Sequence, residues 1–202
     1  MSTKLICLVT TNLVMFAGWA HVIYVFVTAG LDNLSDFKSE ICEDRLRPAL
    51  YMALTVSAIE LLTCMIGLTR SNPIQVLLFA SVRAGVEILI TPLIGCGAWQ
   101  HLFTALCWSL GDSVRFACFT LDGIVPGGTL AKSIRYTFGP IMFPLGTAGE
   151  MFMVIRAAMN GRPILYLAAA LWPAGFYPLM KQLLKQRRKH FAPKKKPEFK
   201  SV

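Results

Sequence analysis

A carboxylate inside an apolar segment is the residue of this sequence best placed to do chemistry. Glu150 ends the apolar run Arg135–Glu150, and Phe143 precedes it by seven residues. At about 100° per residue on a helix, both side chains leave the same face, about 10 Å apart along the axis. A carboxylate buried in a membrane is costly in free energy, so we interpret Glu150 as a candidate functional residue. No basic residue stands three or four positions from it, so it needs a partner from another helix or must be held protonated.

The residues around Glu150 indicate an unusual helix. Pro144 removes a backbone donor and bends the chain, whereas Gly146 and Gly149 let a neighbouring helix approach closely. We therefore expect an irregular, closely packed helix at the position of the acid.

Other ionisable side chains fall within apolar runs. Arg83 and Glu87 are four residues apart, and Asp112 and Arg115 are three apart, so each pair can meet on one helix face. We expect the opposite charges within each pair to neutralise each other inside the membrane and to fix how the helices pack. The remaining polar candidates are Glu60, Arg135 and Tyr136.

The composition is that of a membrane protein. Of the 202 residues, 55% are hydrophobic and only 15% are charged, which is more apolar than an ordinary soluble domain. Six runs are long enough to span a bilayer; they cover about residues 5–29, 48–68, 74–94, 99–119, 134–155 and 164–184. We predict an all-α bundle of six transmembrane helices forming one domain, residues 1–190, followed by a basic polar tail, residues 191–202.

The formal net charge of +9 comes mostly from residues after Met180. An even number of spans puts both termini on one side, and the positive-inside rule places that side in the cytosol or the mitochondrial matrix. The basic flank predicts contact with anionic lipids of the bilayer and not with nucleic acid. Its residues are Lys185, Arg187, Arg188, Lys189, Lys194, Lys195 and Lys196.

The cysteines and histidines give no metal or disulfide signal. No Cys-x-x-Cys pair occurs, and most cysteines lie in apolar runs, so we predict neither a disulfide framework nor a metal site, and no cofactor. His21 and His101 are isolated, and we interpret them as packing or interfacial residues. The six cysteines are Cys7, Cys42, Cys64, Cys96, Cys107 and Cys118. Four ring residues are interpreted as packing or interfacial anchors: Trp99, Trp108, Trp172 and Tyr177.

Two segments carry motifs beyond a simple apolar pattern. Ile59–Gly67 reads Ile-Glu-Leu-Leu-Thr-Cys-Met-Ile-Gly, and Trp108–Phe116 reads Trp-Ser-Leu-Gly-Asp-Ser-Val-Arg-Phe. They resemble Leu-Glu-x-Leu-His-x-x-x-Gly and Trp-x-x-x-Glu-x-x-Arg-Tyr of the very-long-chain (3R)-3-hydroxyacyl-CoA dehydratase family, also called protein-tyrosine-phosphatase-like A. In this chain Thr63 replaces the histidine, Asp112 the glutamate and Phe116 the tyrosine.

The last third of the chain carries the rest of the resemblance. Arg135–Glu150 resembles the family's Arg-Tyr…Tyr-Pro-x-Gly-x-x-x-Glu. Pro173–Lys189 resembles the family's last span and the basic residues that follow that span. The resemblance is co-linear over about residues 50–190 and implies the family's fold of six spans. It also implies a site, because the family's active pair is a tyrosine and a glutamate seven residues apart on the fifth span. This sequence has Phe143 and Glu150 at those positions.

Phe143 is the position that sets the chemistry. Dehydration of a 3-hydroxyacyl thioester takes a proton from the carbon next to the carbonyl and protonates the departing hydroxyl. A carboxylate can act as the base and a phenol as the proton donor, each typically worth about 10²–10⁴-fold. Glu150 supplies the carboxylate, but Phe143 keeps the ring without the hydroxyl. Tyr136 lies fourteen residues from Glu150, or about 20 Å along the axis, and cannot replace it.

Two functions follow from these residues. The first is an inactive, dehydratase-like bundle that holds lipid or an acyl chain. It would pack with membrane-protein partners in a hetero-oligomeric complex, for which a respiratory assembly of the mitochondrial inner membrane is a candidate. The second is an active (3R)-3-hydroxyacyl-CoA dehydratase, a lyase of very-long-chain fatty acid elongation in the endoplasmic reticulum membrane, using Glu150 alone or with a hydroxyl from another span. A phosphatase is not supported, because no Cys-x5-Arg loop with a free helix N-terminus is evident.

Overall fold

The fold is a bundle of six helices. The computed structural model describes residues 2–32, 41–69, 72–125 and 129–192, and no strand occurs in those ranges. The prediction of an all-α bundle is confirmed. The helices are α1 (Thr3–Asp32), α2 (Cys42–Met65), α3 (Pro73–Ile94), α4 (Trp99–Ile124), α5 (Thr129–Met159) and α6 (Leu165–Phe191).

The helices have the length and surface of membrane spans. Four of them, α1, α2, α3 and α5, are long and apolar enough to cross a membrane. The other two, α4 and α6, have 26 and 27 residues, but α4 carries three charged residues and α6 ends in a basic run. Large apolar side chains such as Leu13, Ile88 and Leu167 are exposed on the outside of the bundle, as expected for a surface that contacts lipid. The chain is an integral membrane protein.

Side-chain contacts define one end of the bundle, here called the disulfide end. Cys42 at the start of α2 forms a disulfide with Cys96 in the link between α3 and α4. Asn160, after α5, donates to the carbonyl oxygen of Leu93 near the end of α3 at 2.9 Å. Gly95 ends α3 with a φ of 88°, which favours glycine. The prediction of no disulfide is wrong, because two cysteines 54 residues apart meet only through the packing of helix ends.

The opposite end, here called the basic end, is where α1 begins and α6 ends. Lys4 Nζ on α1 donates to the carbonyl oxygen of Gly67 after α2 at 3.4 Å. Lys132 Nζ near the start of α5 lies 3.6 Å from Asp122 Oδ1 near the end of α4. Successive helices therefore alternate in direction between the two ends.

The fifth helix runs without a break through two prolines. α5 is helical from Thr129 to Met159 and contains Pro140 and Pro144. Each proline lacks an amide donor and leaves a carbonyl one turn earlier without its helical partner. The irregularity expected from the sequence is thus confined to missing hydrogen bonds and does not interrupt the helix.

Two glycines let α5 pack closely on α4. A Cβ atom at Gly146 would lie 3.5 Å from Trp108 Cδ1. One at Gly149 would overlap Thr104 Oγ1 and lie 3.3 Å from Thr104 Cα. The close approach expected from these glycines is present, and it positions the face of α5 that carries Glu150.

We expect Gly149→Ala to destabilise the bundle by about 1–3 kcal/mol, because the added methyl group must displace the backbone of α4. Gly139→Ala in the same helix is the matched control, since nothing lies within 4 Å of a Cβ atom there and alanine is the better helix former. Thermal unfolding in detergent should show a lower midpoint only for Gly149→Ala. Equal midpoints for the two variants would contradict the close packing.

Candidate functional site

A cavity of about 1460 Å³ lies between all six helices. It exceeds the roughly 300–1,000 Å³ typical of ligand pockets, so it has room for a long flexible molecule. Its wall is mainly apolar, and the structure brings most of the predicted site residues onto it. These are Glu60, Arg83, Asp112, Arg115, Arg135, Tyr136, Phe143 and Glu150.

The carboxylate of Glu150 is held by indole groups. Glu150 is buried, with 8% of its surface exposed. Its Oε1 accepts a hydrogen bond from Trp108 Nε1 on α4 at 2.8 Å, and Trp172 on α6 also interacts with the carboxylate. The partner that Glu150 lacks on its own helix is therefore an indole from another helix, and Trp108 is more than a packing residue. An indole N–H donates a hydrogen bond and does not act as an acid.

We expect Trp108→Phe to destabilise the bundle by about 1–3 kcal/mol, because it leaves a buried carboxylate oxygen without its donor. Trp99→Phe on the same helix is the control, since Trp99 is 61% exposed and makes the same chemical change at the surface. Thermal unfolding of both variants in detergent compares them. An unchanged midpoint for Trp108→Phe would show that the hydrogen bond to Glu150 adds nothing to stability.

Phe143 faces the same cavity as Glu150, as the spacing of seven residues predicts. Its ring stacks on Phe176 of α6 with 5.2 Å between centroids, and it meets Phe79 of α3 edge-on at 5.6 Å. We call Phe79, Phe143 and Phe176 the aromatic cluster. None of the three side chains has a polar group, so the position that resembles the family's tyrosine belongs to a purely apolar contact.

Four charged side chains form a network across three helices. Arg115 on α4 pairs with Glu60 on α2, and its Nη1 lies 3.4 Å from Asp112 Oδ1. Asp112 pairs in turn with Arg83 on α3. The predicted contact between Asp112 and Arg115 is present, and the two acids balance the two bases at the cavity wall.

Two tryptophans contact this network, and one of them, Trp108, connects it to Glu150. The guanidinium of Arg83 lies 5.5 Å from the ring centroids of Trp19 and Trp108, a favourable cation–π geometry. Because Trp108 also donates to Glu150, it contacts both the network and the acid. Trp19 is fully buried and donates from Nε1 to Ser57 Oγ at 3.1 Å. Sequence reasoning missed Trp19, since it lies before the segment that carries the family motifs.

Glu87 pairs with His101 instead of Arg83. His101 Nε2 lies 2.9 Å from Glu87 Oε2, and Arg47 Nε lies 3.6 Å from Glu87 Oε1. The predicted pair of Arg83 and Glu87 is wrong because Val86–Ile90 is π-helical, and the extra residue in that turn rotates Glu87 away from the expected face. The interpretation of His101 as an isolated packing residue is also wrong, because it has a buried charged partner.

The hydroxyl of Tyr136 is hydrogen-bonded near the basic end. It accepts a hydrogen bond from Arg135 Nη2 at 2.7 Å. The ring of Tyr136 packs on that of His190 with 4.8 Å between centroids, and the Arg135 guanidinium lies 4.7 Å from the ring of Phe119. The hydroxyl of Tyr136 therefore pairs with Arg135.

The basic flank continues from this part of α6. Lys185, Arg187, Arg188 and Lys189 are exposed near its end, where they can contact lipid headgroups. Lys194, Lys195 and Lys196 lie outside the described residues.

The positions at which this chain departs from the family motifs have structural contacts. Phe116 is buried, and the guanidinium of Arg115 lies 4.6 Å from its ring. Thr63 Oγ1 donates to the carbonyl oxygen of Glu60 at 2.9 Å. Cys64 and Arg70 have Cys-x5-Arg spacing, but Cys64 lies in the last turn of α2. The C-terminus of a helix carries partial negative charge, which disfavours the binding of a phosphate.

Comparison with known proteins identifies relatives of this chain. A family model described as "Protein tyrosine phosphatase-like protein, PTPLA" matches residues 54–193. The "Probable very-long-chain (3R)-3-hydroxyacyl-CoA dehydratase" of Schizosaccharomyces pombe is 26% identical over 148 residues, which are 67% of this chain and 70% of the relative. The "Very-long-chain (3R)-3-hydroxyacyl-CoA dehydratase PASTICCINO 2" of Arabidopsis thaliana is 25% identical over 162 residues, 72% of this chain and 66% of the relative. No solved structure matches.

Proposed function

Because the chain belongs to the PTPLA family, we propose that it is a dehydratase-family membrane protein that holds an acyl chain in its central cavity without dehydrating it. The observation that carries this proposal is the set of groups around Glu150. Among the described residues, its carboxylate interacts with the indoles of Trp108 and Trp172 and with the charge of Arg83. Phe143, at the position that resembles the family's tyrosine, faces the same cavity without a hydroxyl.

The chemistry of dehydration explains why this set of groups matters. One proton must leave the carbon next to the thioester carbonyl, and another must reach the departing hydroxyl. Glu150 can accept the first proton, but an indole, a phenyl ring and the guanidinium of Arg83 cannot release the second. Without a separate proton donor, the rate of dehydration is expected to fall by about 10²–10⁴-fold. We infer that the acid and the cavity serve binding and packing.

The wall of the cavity supports an acyl chain as the occupant. It is mainly apolar, touches all six helices and has a volume of about 1460 Å³. The charged residues on the cavity wall are largely paired with one another. They therefore do not require a strongly charged ligand to balance them. A hydrocarbon chain would fill the apolar part and leave this network intact.

Bound lipid can be measured directly. Wild-type protein purified in mild detergent should release acyl-containing molecules in roughly stoichiometric amounts on extraction, as quantified by mass spectrometry. Ala80→Trp, on the cavity wall, should reduce this amount several-fold. Leu77→Trp is the control, since Leu77 lies on the same helix and is 50% exposed on the outside. Equal acyl content in both variants would contradict binding in the cavity.

The second candidate function is the dehydratase activity named for the relatives. It is supported by the presence of Glu150 on the cavity wall and by the match over most of the chain. In that case Glu150 would have to act as both base and acid, and the protein would belong in the endoplasmic reticulum membrane. Turnover of a 3-hydroxyacyl-CoA that depends on Glu150 distinguishes this function from the first.

We also propose that the inactive protein has membrane-protein partners in a hetero-oligomeric complex. A bundle retained without catalysis is expected to be retained for its shape and contacts, and the mitochondrial inner membrane is the location we propose for such a complex. Proteins that co-purify in mild detergent test this. Purification of the chain alone, at the size of one copy in its micelle, would contradict it.

A further inference from the structure

A buried cluster at the disulfide end is not used by the site around Glu150. Cys42 and Cys96 are 0% and 1% exposed, and His101 is 1% exposed. Their ligand atoms all lie within 4.8 Å of one another, and His101 Nδ1 is 3.7 Å from Cys42 Sγ. Two cysteines and a histidine at this spacing can form a disulfide beside a histidine, or, when reduced, can bind a metal such as zinc.

The contacts within this cluster favour the disulfide. Its Nδ1 lies 2.6 Å from the carbonyl oxygen of Cys96, and its Nε2 lies 2.9 Å from Glu87 Oε2. Both ring nitrogens already have polar neighbours, and the sulfur atoms of Cys42 and Cys96 are bonded to each other. The cluster is therefore a disulfide beside the Glu87–His101 pair.

A disulfide indicates which compartment this end of the bundle faces. Such bonds form in oxidising compartments and are rare where glutathione and thioredoxin keep thiols reduced. Joining the thiols of Cys42 and Cys96 releases two protons and two electrons. The electrons go to the disulfide of an oxidoreductase, which becomes a dithiol.

The distribution of basic residues points to the same orientation independently. Lys4, Lys132 and Arg135 lie toward the basic end, together with the exposed basic flank at the end of α6. Fewer basic residues lie toward the disulfide end; among the described residues these are Arg45, Arg47, Arg156 and Arg162. Basic residues concentrate on the cytosolic or matrix side of a membrane protein. The basic end and the disulfide end lie on opposite sides of the bundle, so the two rules agree.

We propose that Cys42 and Cys96 are oxidised to a disulfide in the cell, in a compartment outside the cytosol and the matrix that the disulfide end faces. This proposal does not depend on whether Glu150 is catalytic. Cys42 lies before residues 54–193, which the family model matches, and Cys96 lies within them. The cross-link ties the start of α2 to the α3–α4 link around the Glu87–His101 pair.

The experiment traps the thiols as they exist in cells. Cells that express the full chain with a C-terminal tag are quenched in acid, and free thiols are blocked with N-ethylmaleimide. The denatured protein is then reduced and treated with a polyethylene-glycol maleimide, which adds mass to each thiol released. We expect two additions on the wild type, none on Cys42→Ser or Cys96→Ser, and two on the control Cys118→Ser.

Two further measurements complete the test. Protease added to sealed microsomes should remove the C-terminal tag, or, if the protein is in the mitochondrial inner membrane, mitoplasts should protect the tag. No additions on the wild type would overturn the proposal, and so would one zinc ion per chain in the purified protein that is lost in Cys42→Ser. A tag on the opposite side of the membrane would overturn the orientation. The thiol count and the position of the tag are both read from the wild type, so a poorly folded variant does not leave the question open.

Discussion

Phe143→Tyr is expected to give the chain a dehydratase activity that the wild type lacks. The substitution adds a phenol to a ring that already faces the cavity with Glu150, at the seven-residue spacing that resembles the family's active pair. A positioned general acid is typically worth about 10²–10⁴-fold, so kcat/KM for a 3-hydroxyacyl-CoA should rise at least about 100-fold over the wild-type background. The measurement is formation of the unsaturated acyl-CoA by purified protein in detergent.

Two controls separate the phenol from a general change in the cavity. Phe143→Tyr combined with Glu150→Gln should be inactive, because the base is then missing. Phe79→Tyr puts the same hydroxyl elsewhere in the aromatic cluster and should leave activity at the background. If Phe143→Tyr folds normally and shows no gain, the absent phenol does not explain the absence of activity.

Arg115→Met should cause the largest loss of stability, about 3–5 kcal/mol, because it leaves buried acids without their base. Arg115 pairs with Glu60 and also lies 3.4 Å from Asp112. Asp112 keeps Arg83 as a partner, so most of the loss should come from Glu60, which is 8% exposed. Chemical or thermal unfolding in detergent measures it.

The double variant Arg115→Met with Glu60→Gln tests that reason. Removing the uncompensated charge should recover a large part of the stability, with a coupling free energy of about 1 kcal/mol or more between the two positions. Arg188→Met on the exposed end of α6 is the surface control and should change stability by less than about 0.5 kcal/mol. If the double variant is as unstable as the sum of its single variants, the two side chains do not act as a pair.

The number and type of the helices could be predicted from the sequence because membrane spans need long apolar runs. The boundaries could not, since helices extend beyond the apolar core. The fifth predicted span covers about residues 134–155, whereas α5 runs from Thr129 to Met159. The flanking turns are polar enough to reach beyond the hydrocarbon, and hydrophobicity alone does not mark them.

Contacts on one helix could be predicted only where that helix is a regular α-helix. The spacing of Phe143 and Glu150 placed both on one face of α5, and both line the cavity. The same reasoning failed for Arg83 and Glu87, because it assumes a regular α-helix and Val86–Ile90 is π-helical. The partners that Glu87 has in this π-helical turn, Arg47 and His101, come from other helices and have no spacing that the sequence could show.

The hydrogen-bond partner of Glu150 illustrates the same limit of prediction from sequence. Glu150 and Trp108 were both identified in the sequence, but their hydrogen bond joins residues 42 positions apart. It depends on the approach of α5 to α4 at Gly146 and Gly149. A residue's type and spacing show what it can do, whereas its partner is set by helix packing that the sequence does not display.

The most direct test of this account is the activity of the wild-type chain itself. Purified protein, folded in detergent or liposomes, is incubated with a long-chain (3R)-3-hydroxyacyl-CoA, and the unsaturated product is measured beside the Glu150→Gln variant. We predict equal product from both, at the level of the reaction without protein. Turnover by the wild type that Glu150→Gln abolishes would contradict our account and identify the chain as a dehydratase.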